Sequence, residues 1–211
     1  MTLIKTAIDT TTDISLQGID EGHHHITYKG VACAKCPMDY VLYQMLLHQV
    51  KPDLIIEIGS NEGGSALYLA DLLELAGKGI IHTIDIEDRI AEGVKDHPRI
   101  QFFNGGWEKY DLSLANDYET VLVIEDSSHT YSNTLNVMNK FAPLVTAGSY
   151  LVVEDGIVNA LGMSGQFDGG PVKAIEEFLP KNADFMIDTY WCDFFGKNAT
   201  FNTIGYLKKR I

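Results

Sequence analysis

From about residue 50 onward, short apolar runs alternate with longer amphipathic ones, which restricts the chain to a small set of folds. The short runs are Leu54–Ile58, Gly79–Asp85, Ile100–Asn104, Val121–Glu125 and Tyr150–Glu154. Between them, Gly64–Ala76, Thr130–Phe141 and Pro171–Leu179 gather their apolar residues largely on one side, as helices do. Asp39–Val50 reads as a further helix, ending at Lys51-Pro52. This alternation of strands with helices predicts an α/β fold, a mostly parallel sheet with helices on both faces. Two later runs, Phe185–Thr189 and Phe201–Leu207, add an antiparallel edge. At 211 residues there is room for one domain, placed at 51–211, behind an N-terminal extension at 1–50. The start of that extension reads as a lid or an oligomer contact.

Charge narrows the partners. Lys and Arg total 16 against 29 Asp and Glu, a formal net charge of −13. Nucleic acids and anionic membranes are bound through basic surfaces, so neither is expected as a partner. Met1 to Asp20 shows no signal-peptide pattern, and no apolar run approaches a membrane span. Three cysteines make no disulfide framework, so reduced thiols and a cytoplasmic protein are expected. Cys33-Ala-Lys-Cys36, downstream of His23-His24-His25, raises a zinc site. The second ligand pair that structural zinc needs is missing, so that reading is set aside.

The run Glu57-Ile-Gly59-Ser60-Asn61-Glu62-Gly63-Gly64-Ser65 leaves the first strand and opens a helix. Glycines let a backbone turn sharply and approach a ligand closely. Amides at the following helix start favour an anionic group, with Ser65 as a further donor or simply a cap. The spacing is G-x-x-x-G-G, not the G-x-G-x-x-G of dinucleotide binders. Asp85 ends the second strand, where an acid reaches ribose hydroxyls, so a nucleoside ligand is expected.

Two more strands end in acids, Glu125-Asp126 and Glu154-Asp155. In open α/β sheets ligands bind beyond the carboxyl ends of the strands, so Asp126, Glu154 and Asp155 meet at one mouth. Three carboxylates there repel one another unless a cation intervenes, and oxygen ligands suit Mg²⁺, with Mn²⁺ or Ca²⁺ as alternatives. Simple helix capping is the competing role for each acid. His129, three residues after Asp126, is placed to take a proton from a bound hydroxyl. His48, His82 and His97 read as packing residues.

These motifs taken together resemble the cephalosporin hydroxylase family, itself similar to rhamnosyl and macrolide-sugar O-methyltransferases. The likeness is carried by Glu57-Ile-Gly59…Gly63-Gly64-Ser65, Asp126-x-x-His129 and Ala142-Pro143-Leu144-Val-x-x-Gly148-Ser-Tyr-Leu-Val-Val-Glu154-Asp155. Further matches are Tyr28-Lys29-Gly30-Val31, Lys35-x-Pro37-x-Asp39, Gly169-Gly170-Pro171 and Asn202-x-x-Gly205-Tyr206-Leu207-Lys208. Despite its label, that family is understood as Rossmann-like methyltransferases dependent on S-adenosylmethionine and a divalent metal. The resemblance implies that Glu57, Gly59, Ser60, Gly64, Ser65, Asp85 and Asp126 hold the donor. It makes Asp126, Glu154 and Asp155 metal ligands, His129 the general base beside Asp126, and the protein a homo-oligomer. The site plan is also similar to that of catechol O-methyltransferase, with a lysine there in place of His129.

The implied reaction is methylation of a hydroxyl on a small molecule, a sugar or another vicinal diol. Gly162–Gly170 is expected as a mobile lid, and Trp107, Tyr190, Trp191 and Phe194 as candidates for an aromatic acceptor wall. Two alternatives belong to other classes: a non-haem oxygenase, as the family label suggests, and a non-catalytic nucleoside-binding domain. Iron oxygenases use two histidines and one carboxylate, and no His-x-Asp or His-x-Glu occurs here.

Overall fold

A computed structural model describes residues 11, 12 and 14–211. Much of the segment read above as lacking a signal peptide therefore lies outside the described residues. The chain opens with α1 (Leu16–His23), a two-stranded antiparallel ribbon of β1 (Thr27–Tyr28) and β2 (Val31–Ala32), and α2 (Pro37–Val50). The alternating part follows as β3 (Leu54–Ile58), α3 (Gly64–Ala76), β4 (Ile80–Asp85), α4 (Glu92–Lys95) and β5 (Ile100–Asn104). It continues with β6 (Val121–Glu125), α5 (Tyr131–Phe141), β7 (Tyr150–Val153) and α6 (Gly170–Phe178). It closes with β8 (Phe185–Ile187), α7 (Thr189–Cys192) and β9 (Tyr206–Lys209).

Seven strands form one sheet in the order β5-β4-β3-β6-β7-β9-β8. β5, β4, β3, β6 and β7 run parallel, whereas β9 pairs antiparallel with both β7 and β8. This is the mostly parallel sheet with an antiparallel edge that the alternation predicts. Strand order reverses between β3 and β6, where Ile58 stands opposite Glu125. Such a switch point opens a crevice beyond the strand ends.

Successive residues of each central strand feed opposite cores. Ile55, Ile81, Leu122, Ile124 and Val152 pack under α2 and α3 with Leu42, Leu46 and Leu69. Leu54, Ile56, Val121, Val123 and Leu151 pack under α5 and α6 with Val137, Phe141 and Phe178. All five residues of β3 are buried, as a strand covered on both faces requires.

Several limits differ from expectation for identifiable reasons. α2 begins at Pro37 rather than Asp39, because proline's fixed φ suits a first helical turn. Its Leu42, Tyr43, Leu46 and Leu47 sit in the first core. The last strand starts at Tyr206, not Phe201. Upstream of it, Asp39 holds Thr200 and the Phe201 amide, and Ile204 adopts a left-handed φ of 52°, which an extended strand cannot contain. Among the described residues no helix is long and apolar enough to cross a membrane.

Candidate active site

The donor side is built where β3 and β6 release the chain next to each other. Gly59 leaves β3 with φ of 103°, and a Cβ there would lie 1.9 Å from the carbonyl oxygen of Asp126. Only glycine lets the two turns cross at that distance. Gly64, at the first turn of α3, is pressed by the Ala32 carbonyl at 2.1 Å from its would-be Cβ, so the β1–β2 ribbon closes on this turn. Asp85, at the tip of β4, accepts hydrogen bonds from the amides of Ser60 and Asn61, both at 2.9 Å. Its carboxylate therefore shapes the turn as well as facing the cavity.

Beneath the turn, Ser60 Oγ pairs with Thr83 Oγ1 at 2.6 Å, and Thr83 donates to Glu57 Oε2 at 2.6 Å. Burial pushes the Glu57 carboxyl up to about 7, with Lys35 pulling the other way. Glu57 Oε1 and Ser65 Oγ are buried without a well-formed hydrogen bond, although the Ser65 hydroxyl helps to hold the Glu57 carboxyl down. Buried polar atoms without partners are uncommon and call for a ligand or solvent.

The acid side lies across the switch point. Asp126 follows β6, and its amide donates to Ile58 O at 2.8 Å, which ties it to the end of β3. His129 and Asp155 both adopt left-handed backbone, with φ of 57° and 56°. Non-glycine residues in that region are uncommon and gather at functional corners. The result brings one ligand atom each of Asp126, His129 and Asp155 within 4.8 Å of one another, with His129 Nε2 3.4 Å from Asp155 Oδ2. Burial works against an imidazolium at His129, but Asp155, Asp126, Glu125 and Glu154 outweigh it and hold the group above its usual range. Burial likewise raises the carboxyls of Asp126, Glu154 and Asp155.

Glu154 is placed differently from its neighbours. It is buried, and its Oε1 accepts from Lys35 Nζ and from Tyr43 Oη, each at 2.6 Å. Lys35 Nζ also reaches Asp126 Oδ2 at 3.0 Å. Part of the positive charge that three adjacent acids require thus comes from the chain itself. The carboxylates of Asp126 and Asp155, beside the His129 imidazole, fit a divalent cation, oxygen donors suiting Mg²⁺, Mn²⁺ or Ca²⁺.

Both sides open into one cavity of about 790 Å³. Gly59, Ser60, Gly64, Ser65 and Asp85 line it on the donor side, and Asp126, His129 and Asp155 on the other. Glu57 lies behind this wall and Glu154 behind Lys35. Of the four aromatic candidates only Trp107 lines the cavity, while Tyr190, Trp191 and Phe194 pack against one another elsewhere. The Gly162–Gly170 segment carries a single helical turn, Ser164–Phe167, whose Phe167 ring meets His129 edge-on at 6.0 Å.

Among the described residues, neither CxxC cysteine falls in a group of His, Cys, Asp or Glu side chains close enough to share a metal ion. Cys33 and Cys36 are buried, and burial pushes their thiols up to about 11 and about 12. Upstream, Asp20, His23 and His24 bring ligand atoms within 4.8 Å of one another at the cavity wall, without a cysteine. Sequence reasoning did not foresee Lys35 and Tyr43 as partners of the acids, nor the Trp107–Asn133–Ser127 chain, at 3.0 and 2.6 Å, that braces the loop before His129. The match at Lys35-x-Pro37-x-Asp39 was the available signal, but it carried no role.

The family model for Rhamnosyl O-methyltransferase/CmcI matches residues 21–210. A Rhamnosyl O-methyltransferase of Mycobacterium leprae (strain TN) is 32% identical over 192 residues, covering 87% of this chain and 83% of the relative. One from Mycobacterium tuberculosis (strain ATCC 25618 / H37Rv) is 32% identical over 160 residues, 72% of this chain and 65% of the relative. Among solved structures, cmcI-N160 SAH has a TM-score of 0.70 at 20% identity, over 97% of this chain and 96% of that one. The structure cmcI-D160 Mg-SAM has a TM-score of 0.68 at 21% identity, over 89% and 78%. At such identities the structural likeness speaks for the fold, while the family match and the mycobacterial relatives speak for descent. The chain belongs to the Rhamnosyl O-methyltransferase/CmcI family.

Proposed function

We propose that this S-adenosylmethionine-dependent O-methyltransferase methylates one hydroxyl of a sugar-like vicinal diol, using a divalent cation at its acidic cluster and His129 as base. The observation that carries the reading is the meeting of the glycine turn with Asp126, His129 and Asp155 in one cavity. In this reading Gly59, Ser60, Gly64 and Ser65 cradle the methionine end of the donor, with Ser65 Oγ as a hydrogen-bond donor to it. Asp85 faces the ribose, Glu57 stiffens the turn from below, and Asp126 borders both donor and cation.

A divalent cation held by Asp126 and Asp155, with Glu154 behind them, supplies a Lewis acid that lowers the pKa of the acceptor hydroxyl. The structure name cmcI-D160 Mg-SAM, pairing magnesium with the donor in a family member, supports this choice. In this reading a cation on Asp155 would offset the carboxylates that hold His129 above its usual range and would free its Nε2, 3.4 Å from Asp155 Oδ2 in its absence, to take the hydroxyl proton. Phe167, edge-on to the His129 ring at 6.0 Å, would help to keep water from the reacting side. The mycobacterial relatives are named for rhamnosyl acceptors, which supports a sugar. We also place the enzyme in the cytoplasm, with Cys33, Cys36 and Cys192 as free thiols, and expect a homo-oligomer.

Beside the donor turn the cluster offers one histidine and two carboxylates, the reverse of an oxygenase's set. The cavity wall does carry two histidines and one carboxylate at Asp20, His23 and His24, so product formation that requires iron and O₂ is the result that would favour the oxygenase alternative. Transfer of labelled methyl from S-adenosylmethionine to rhamnosides and simple diols tests the proposal. We expect transfer with Mg²⁺ and its loss in EDTA. Full transfer in the chelator would remove the cation, and donor binding without transfer to any hydroxyl would favour the non-catalytic alternative.

A further inference from the structure

A lysine almost never lies fully inside a protein unless it is paired. Lys35 is such a case: its side chain is 2% exposed, with Nζ 2.6 Å from Glu154 Oε1 and 3.0 Å from Asp126 Oδ2. The Tyr43 ring lies 5.5 Å from the same ammonium, and the Tyr43 hydroxyl donates to the same Glu154 oxygen. The placement is built into the fold. The Lys35 amide donates to Cys33 O at 2.9 Å, Pro37 starts α2 two residues later, and Asp39 anchors that helix to the Phe201 amide at 3.0 Å.

Asp126, Glu154 and Asp155, when ionised, bring three negative charges to this corner, and Lys35 returns one positive charge. We propose that Lys35 is a resident counter-cation that sets how tightly the cluster holds a divalent metal. It takes the Glu154 side, so that an added ion meets Asp126, already shared, and Asp155. The inference rests on the metal-assisted reading above and adds a positioning residue to it. Charges about 5 Å apart in a partly dry site interact strongly enough that removing the ammonium should tighten metal binding by on the order of tenfold or more.

The test is Mn²⁺ titration by calorimetry on the full chain as wild type, Lys35→Met and Lys35→Arg, with thermal midpoints measured with and without the metal. Lys35→Met should bind Mn²⁺ about tenfold tighter or better and Lys35→Arg close to wild type. Without metal Lys35→Met should melt early, and saturating Mn²⁺ should restore most of the loss. Unchanged or weaker binding by Lys35→Met overturns the inference. If Lys35→Met folds only with Mn²⁺, the inference stands, since one cation replaces the other. If it stays unfolded in saturating Mn²⁺ while Lys35→Arg folds, the inference falls. A wild type that binds no Mn²⁺ is a separate result, which removes the metal reading itself.

Discussion

His129 and Asp155 share an unusual backbone region, and the strain is tolerated because the corners after β6 and β7 turn both side chains into one cavity. A base removed from such a site typically lowers rate by about 10²–10⁴-fold. His129→Ala should therefore lower kcat by that order and leave the dissociation constant for S-adenosylhomocysteine nearly unchanged, as calorimetry can check. A near-normal kcat would transfer the base role to another group. His82 illustrates a histidine of the other kind. It is buried, its Nδ1 lies 2.6 Å from the Tyr110 hydroxyl, and its Nε2 has no partner. Burial lowers it to about 4, against 6.5 for the exposed side chain. The unfolded chain therefore takes up a proton that the folded chain refuses, so stability is present above about pH 6.5 and is lost on descent toward pH 4. Urea midpoints at pH 7.5 and 5 should fall more for wild type than for His82→Gln. Equal falls would clear His82 of the effect.

At the scale of elements, the site depends on two crossings. The turn after β3 passes the turn after β6 so closely that a Cβ at Gly59 meets Asp126 O at 1.9 Å, on a backbone with φ of 103°. Gly59→Ala should cost about 2–4 kcal/mol in urea unfolding and also disturb the Asp126 position, so donor affinity falls with it. The second crossing joins α2 to the loop before β9. Asp39 accepts from Thr200 Oγ1, from the Phe201 amide at 3.0 Å and from the Tyr206 hydroxyl at 3.3 Å. Asp39→Ala leaves these buried donors unpaired and should destabilise by roughly 2–4 kcal/mol, with Asp39→Asn losing less. Equal losses for the two variants would mean that packing rather than hydrogen bonding holds the loop.

For the whole molecule, a net charge of −13 makes any cation stabilising by screening, so a site must be told apart from a salt effect. Mg²⁺ at about 100 times its dissociation constant contributes ~2.7 kcal/mol, a rise of roughly 5–10 °C for a chain of this length. That rise should vanish with EDTA, should not appear in NaCl of equal ionic strength, and should be lost in Asp155→Asn. A rise of the same size in NaCl would assign it to surface charge.

Local regularities in the chain were enough to read the parallel sheet, its helices, the glycine turn and the acids that end β4, β6 and β7. These features follow from apolar period, from where glycine is tolerated and from the residue type at a strand tip, all of which act over a few positions. Other features depended on distant segments meeting. Lys35 reaches Asp126 and Glu154 from 91 and 119 residues away, so Glu154, one of three equivalent acids in sequence, became the lysine's partner. The start of β9 moved because Asp39 holds Thr200 and Phe201 across 161 and 162 residues. Ion pairing and buried hydrogen bonds are set by proximity in space, and no short-range pattern encodes which partner arrives.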